Sequence, residues 1–278
     1  MPNVTGTRNE RARRSTSIVA SVTMALIAVA GCGSDSNDSE ASRAATDPKQ
    51  PVNGSSAAPR NTEPGDAQAA ELIEKAIDVT LDQDFLRSTR RMKTEGTTVM
   101  HSAVRGGVST CETHARKGAA TLGWVITTSA LYTRGSKQAL LMSPDAKRDP
   151  VRVKVMADRW VKRQARMYEV MRDMCTSKNR RNWLQERLPS MEELRKETPA
   201  QRSVTLHGQP ATKITYKGKG GPVVFHVAAE GTPFLLRATY PAKDLDESYA
   251  DFGKRFKVAA PPGAVTDSEI AAEIYAAE

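Results

Sequence analysis

Acid–base and metal chemistry in this chain would have to come from its four histidines and 32 carboxylates, and their spacing argues against both. His101, His114, His207 and His226 stand singly, with no HExxH or comparable pairing that would bring two imidazoles to one ion. Asp244, Asp246, Glu247 and Asp251 crowd one short segment. That is neither the separated carboxylate pair of a glycosidase nor the alternating oxygens of a calcium loop, and it reads as a solvated loop. Gly107-Val-Ser-Thr-Cys111 has cysteine where a nucleophile elbow needs its second glycine. Lys217-Gly-Lys-Gly-Gly221 lacks the GxxxxGK[ST] order of a phosphate loop and precedes a β-rich run, so it reads as a hairpin turn. The expectation is a protein without catalytic residues, metal or cofactor.

What remains is the chemistry of three cysteines. Cys32 closes the run Ser17 to Cys32, SIVASVTMALIAVAGC, which follows a tip containing Arg8, Arg11, Arg13 and Arg14. A cationic tip, an apolar core and small residues at the end form the layout of a secretory signal. Ile18 to Ala30 is thirteen residues long, where a membrane span needs roughly 20. Val29-Ala30-Gly31-Cys32 resembles the lipobox of bacterial lipoproteins, in which cleavage precedes the cysteine and its sulfur carries a diacylglycerol. The polar run from Gly33 then begins where a tether would, against the alternative of an ordinary signal with an incidental cysteine. Arg13-Arg14 hints at twin-arginine export, but Ser15-Thr16-Ser17 lacks bulky residues there, which favours general secretion. The expected location is the extracytoplasmic face of the cell membrane, with a lipid anchor at Cys32.

With Cys32 occupied, Cys111 and Cys175 are left in an oxidising compartment and are expected to pair; two separate buried thiols are the alternative. Net charge supports an envelope setting. The first 31 residues hold four arginines against Glu10, residues 32–70 hold three basic against six acidic side chains, and the whole excess of nine positive charges falls on 71–278. A basic domain outside the cell suits an anionic neighbour such as phospholipid headgroups or wall polymers, not nucleic acid.

Positioning these residues requires a fold, and the chain divides accordingly. Residues 1–31 read as signal and 32–65 as a flexible tether, too polar to offset its ordering entropy and reaching roughly 30 to 35 Å. Residues 66–262 read as one domain and 263–278 as a tail that either forms a small helix or frays. Ala69, Ala70, Leu72, Ile73, Ala76, Ile77 and Leu81 trace one helical face from Asp66, and Asp84 to Met92 either extends that helix or forms a second. Thr97–Val104, Gly107–Ala115, Ala120–Thr128 and Ala130–Arg134 read as antiparallel strands, the last two alternatively as one long strand. A basic amphipathic helix is expected over Ala157 to Met174, with Trp160, Met167 and Met171 along one side and Cys175 at its end. Lys178 to Asn182 reads as a basic loop and Met191 to Lys196 as a short helix. Sheet returns over Ser203–His207, Ala211–Tyr216, Val223–Ala228 and Phe234–Tyr240.

Val204-Thr-Leu-His-Gly-Gln-Pro-Ala-Thr-Lys-Ile, Ala229-Glu-Gly-Thr-Pro-Phe-Leu-Leu-Arg and Phe252-Gly through Pro261-Pro262 resemble the closing hairpins of the LolA and LppX/LprG superfamily of bacterial lipoproteins, and an actinobacterial source is expected for this chain. The resemblance implies an α+β fold, in which a curved antiparallel half-barrel sheet has helices over its concave face, and some members hold acyl chains between the two layers. It carries over no binding residue one by one; the expectation is a monomer that carries a lipid or other amphiphile under the Ala157 to Met174 helix, with Trp124, Ile126, Trp160, Met167 and Met171 as cavity candidates from their expected facing. A scaffold that docks to an envelope protein or wall polymer needs the same inward apolar residues and stands as the alternative.

Overall fold

The computed structural model describes residues 66–143 and 149–277. Cys32 and the signal and tether segments lie outside them. Helix α1, Asp66–Leu81, buries Ala69, Ala70, Ile73, Ala76, Ile77 and Leu81, the face that its periodicity marks out. The chain then enters a single open, curved sheet of 12 strands.

Five strands follow α1 in simple meander order: β1 Phe85–Met92, β2 Gly96–Arg105, β3 Val108–Lys117, β4 Ala120–Ile126 and β5 Leu131–Gly135. Helices α2, Lys137–Leu141, and α3, Pro150–Met156, lead to the two-residue strand β6, Val161–Lys162. A helical segment comes next: α4 Ala165–Met171, a 3-10 turn Arg172–Cys175, α5 Ser177–Gln185 and α6 Met191–Leu194. The second meander is β7 Ala200–Leu206, β8 Gln209–Tyr216, β9 Val223–Ala228, β10 Leu235–Tyr240 and β11 Leu245–Ala250. Strand β11 pairs with β1, which joins the two halves, and β12 Val265–Thr266 and α7 Asp267–Ala277 are the last described elements.

Register fixes which side chains share a face. Leu86, Ser102, Cys111, Ile126 and Leu131 fall opposite one another across β1 to β5, and Tyr249 opposite Ser88 carries the same face into β11. That face is covered. Helices α1, α5 and α6 pack Ile73, Ile77, Leu184 and Leu194, together with Leu188 from the connection between α5 and α6, onto Ile214, Tyr216, Phe225 and Leu245. Thr80 Oγ1, buried in this layer, accepts a hydrogen bond from Leu235 N at 2.8 Å and locks α1 to the bulge at the start of β10. The opposite face carries the residues after β11. Phe252 stacks on Phe234 with centroids 4.1 Å apart, Phe256 meets Phe85 edge-on at 5.5 Å, and Val258 and Ala264 pack with Val125, Ala130, Tyr132 and Trp160.

Several expectations change. The sheet is mixed, because β12 pairs in parallel with β6 while every other described pair is antiparallel. Residues 85–92 form a central strand and not a helix: Asp82 and Gln83 cap α1 through their main-chain N–H groups, and pairing on both edges outweighs the weak strand propensity of FLRSTRRM. The single helix over Ala157 to Met174 is absent. The left-handed residue Asp158, φ 59°, turns the chain, and Val161, 1% exposed, is drawn into the sheet edge opposite Thr133. Lys178 to Asn182 is helical, because Thr176 Oγ1 accepts from Asn179 N at 3.1 Å and caps α5. Asp246 and Glu247 lie on β11, with Glu247 only 4% exposed, so this is no solvated loop. Residues 267–277 are helical, and Arg159 holds Glu273 of that helix by paired bonds of 2.6 and 2.8 Å.

Candidate ligand-binding face

The residues around the disulfide sit on the covered face, at the β1–β5 end of the sheet. Cys111 in β3 is bonded to Cys175 in the 3-10 turn, with Cα atoms 5.5 Å apart. Cys111, Cys175, Ile126 and Leu131 are buried together, and half-buried Met100, Trp124, Tyr168, Met171 and Met174 pack against them. Helix α4 lies over this cluster with none of its own side chains buried. Two polar contacts hold it besides the bridge. Gln164 N donates to Asp267 Oδ2 at 2.9 Å, and Tyr168 Oη donates to the Thr128 carbonyl at 2.8 Å.

The five cavity candidates therefore separate. Trp124, Ile126 and Met171 come together in one cluster. Met167 points outward and is 42% exposed. Trp160 follows α3 instead of riding on a helix with the methionines, and it packs on the opposite face over Gly123; a Cβ added there would meet its ring at 2.9 Å. Thus Met167 and Trp160 are not part of this cluster.

Beside that cluster the covered face is left half-open. By register Thr98, Ala115 and Leu122 form one cross-strand row, and Met100, Thr113, Trp124 and Thr133 the next. All but Thr113 are half-buried, whereas the equivalent face of β8 to β10 is sealed. Thr113 Oγ1 and Trp124 Nε1 are buried and have no hydrogen-bond partner among the described residues. Orphaned donors of this kind cost free energy, and a polar ligand atom or water relieves it.

Next to this strip lies a charged cluster that sequence reasoning missed. Arg90 of β1 and Glu247 of β11 are register partners, with Arg90 Nε 3.5 Å from Glu247 Oε2. Arg180 of α5, 8% exposed, reaches down to donate to Ser102 Oγ and to the Leu81 carbonyl, the latter at 2.8 Å. The Arg90 and Arg187 guanidinium groups lie over the Trp183 ring, 3.0 and 4.1 Å from its centroid. Burial lowers the pKa of both Arg180 and Arg187, and raises that of the Glu247 carboxyl against the pull of Arg90, Arg180 and Arg187. Burial, aided by the Glu247 charge, also keeps the Tyr249 hydroxyl neutral. The legible signal was the pattern Thr176 to Trp183, in which a capping threonine precedes Arg180 and places it one helical turn from Trp183 and Leu184.

The opposite face has an open cleft of about 540 Å3 near the β1–β2 turn, lined in part by Arg91, Lys93, Thr97, Arg237, Asp244 and Asp246. Its acids are already paired. Asp244 accepts from Lys93 N, Thr94 N and Thr94 Oγ1 at 2.9 to 3.1 Å, and Arg237 grips Asp246 by two bonds of 2.9 Å. Among the described residues no group of His, Cys, Asp and Glu could hold a metal ion, and no helix is long and apolar enough to cross a membrane.

An open half-barrel sheet with one helix-covered face is thus the class of architecture. No protein-family model and no curated protein matches the chain. Among solved structures, LprF from Mycobacterium bovis aligns with 72% of this chain and 99% of its own, at 11% identity and a TM-score of 0.43. MucB aligns with 72% of this chain and 62% of its own at 12% identity and 0.33, and the Pseudomonas aeruginosa MucA/MucB complex with 73% and 60% at 13% and 0.32.

Proposed function

We propose that the protein is an extracytoplasmic lipoprotein, anchored through Cys32, that binds or carries a lipid or other amphiphile on the covered face of its half-barrel. One observation supports this reading above the others: the half-buried apolar strip through Met100, Leu122 and Trp124 borders a helix, α4, that has no fully buried side chain and packs on the cluster only through half-buried Tyr168 and Met171. Displacing such a helix exposes little surface, so α4 can lift at small cost. Methionines at positions 100, 171 and 174 reshape readily around a tail, and each buried methylene contributes about 0.8 kcal/mol. The tether keeps the domain within reach of its bilayer. The reading assigns binding and no catalytic residue.

Mass spectrometry of molecules extracted from the purified chain tests it, with a stoichiometric amphiphile as the expected result. The docking alternative is favoured by one feature, the outward side of α4, where Val170 is 71% exposed beside Met167. If the extract holds no amphiphile and Val170→Asp abolishes association with a protein partner, the docking reading replaces this one.

A further inference from the structure

Three guanidinium groups, those of Arg90, Arg180 and Arg187, converge on the covered face around one buried carboxylate, Glu247. Two cationic charges are left without a buried counter-charge. The other acids nearby do not supply a buried one: Asp82 bonds Arg181 and its side chain is 62% exposed, Glu186 meets Arg187 at 3.8 Å but is 72% exposed, and Glu95 lies on the exposed β1–β2 turn. Tyr249 is uncharged. Arg180 Nε is buried and has no hydrogen-bond partner among the described residues, Arg90 Nε is buried with only its 3.5 Å ion contact to Glu247 Oε2, and Thr113 Oγ1 and Trp124 Nε1 on the adjoining strip are likewise without a partner there. A protein interior pairs its buried charges and donors, and an ion cluster with surplus cations beside orphaned donors is incomplete as it stands.

We infer that this cluster is a binding site for an oxyanion of the phosphate class, which on the reading above is the headgroup of the bound amphiphile. The fork of an arginine side chain matches a phosphate bidentately, and two unmatched charges suit a group carrying one to two negative charges. The cluster is reachable from solvent, because the Arg90 and Arg187 side chains keep 22% and 25% of their exposure and Trp183 is half-buried between strand and helix. The site also lies where a headgroup should. Arg180 bonds Ser102, which is the register partner of Cys111, and Thr113 two residues on faces Met100 and Trp124 on the apolar strip.

The test uses the full chain in phosphatidylcholine nanodiscs, with Trp183 fluorescence as the readout and Trp183→Phe as its control. Three probes are titrated: inorganic phosphate, dodecyl phosphate and neutral dodecyl maltoside. The expected result is saturable binding of dodecyl phosphate, competition by inorganic phosphate, and affinity for dodecyl phosphate about ten-fold to a hundred-fold weaker in Arg187→Gln and Arg90→Gln, as loss of charged hydrogen bonds implies. Either variant suffices should the other fail to fold, and Arg187→Lys should recover part of the loss. Equal affinity for the two dodecyl probes, unchanged in both variants, would overturn the anion site while leaving the amphiphile reading intact. Phosphate binding lost in Arg187→Gln without any binding of dodecyl chains would keep the anion site as one for free phosphate and remove the carrier reading. No binding of any probe removes both.

Discussion

Cys111 and Cys175 are joined, and their bridge ties the middle of β3 to the turn between α4 and α5, the two helices that flank the apolar strip and the arginine cluster. The bridge closes 64 residues of chain, so on the loop-entropy model it contributes about 4 kcal/mol. Reduction, or Cys111→Ala with Cys175→Ala, should lower the denaturant midpoint correspondingly. It should also raise amide exchange in residues 165–185 more than in β8 to β10. Uniform exchange across the domain would show that the bridge does not hold that segment.

Gly96 has φ +85°, and a Cβ there would sit 2.2 Å from the Arg116 carbonyl oxygen of β3. Neither strand can yield without disturbing the β2–β3 ladder, in which Thr97 faces Arg116. Gly96→Ala should therefore destabilise the fold by about 1–3 kcal/mol, read as a shift in thermal midpoint. An unshifted midpoint would mean that the β1–β2 turn is free to relax.

Asp244 takes a left-handed conformation, φ 49°, and three hydrogen bonds from Lys93 and Thr94 hold it. Desolvation acts to raise its carboxyl, but those bonds outweigh it and hold the pKa below the ordinary value. A depressed folded pKa means that the group's contribution to stability is present above the unfolded pKa, near 4, and is lost as pH falls through the folded one. Asp244→Asn tolerates the same backbone and carries no charge. Its unfolding midpoint should fall less steeply with acid below about pH 4 than that of the wild type, and parallel curves would contradict this.

The sequence announces most of the sheet, because alternation in stretches such as Val223 to Ala228 and turn residues such as Gly208 act locally. Helix α1 is equally plain in its apolar face. What escapes is whatever depends on pairing across the chain. Phe85–Met92 has no strand signal of its own and becomes central only because β2 and β11 flank it. Trp160, Met167 and Met171 share a helical period, yet edge pairing of Val161 separates them and puts the tryptophan on the other face. The disulfide partners follow from counting, whereas the meeting of Arg90, Glu247 and Arg180 joins residues 67 to 157 positions apart and no local pattern foretells it.

The central claim is that an amphiphile lies on the covered face between the sheet and α4, and uptake of a fluorescent acyl probe tests it most directly. Wild type should bind the probe saturably. Met100→Trp combined with Met171→Trp should fill the strip and abolish uptake with the fold intact, while Trp160→Phe, on the opposite face, should leave uptake unchanged. Unchanged uptake in the folded double variant, or loss of uptake in Trp160→Phe alone, would contradict the claim.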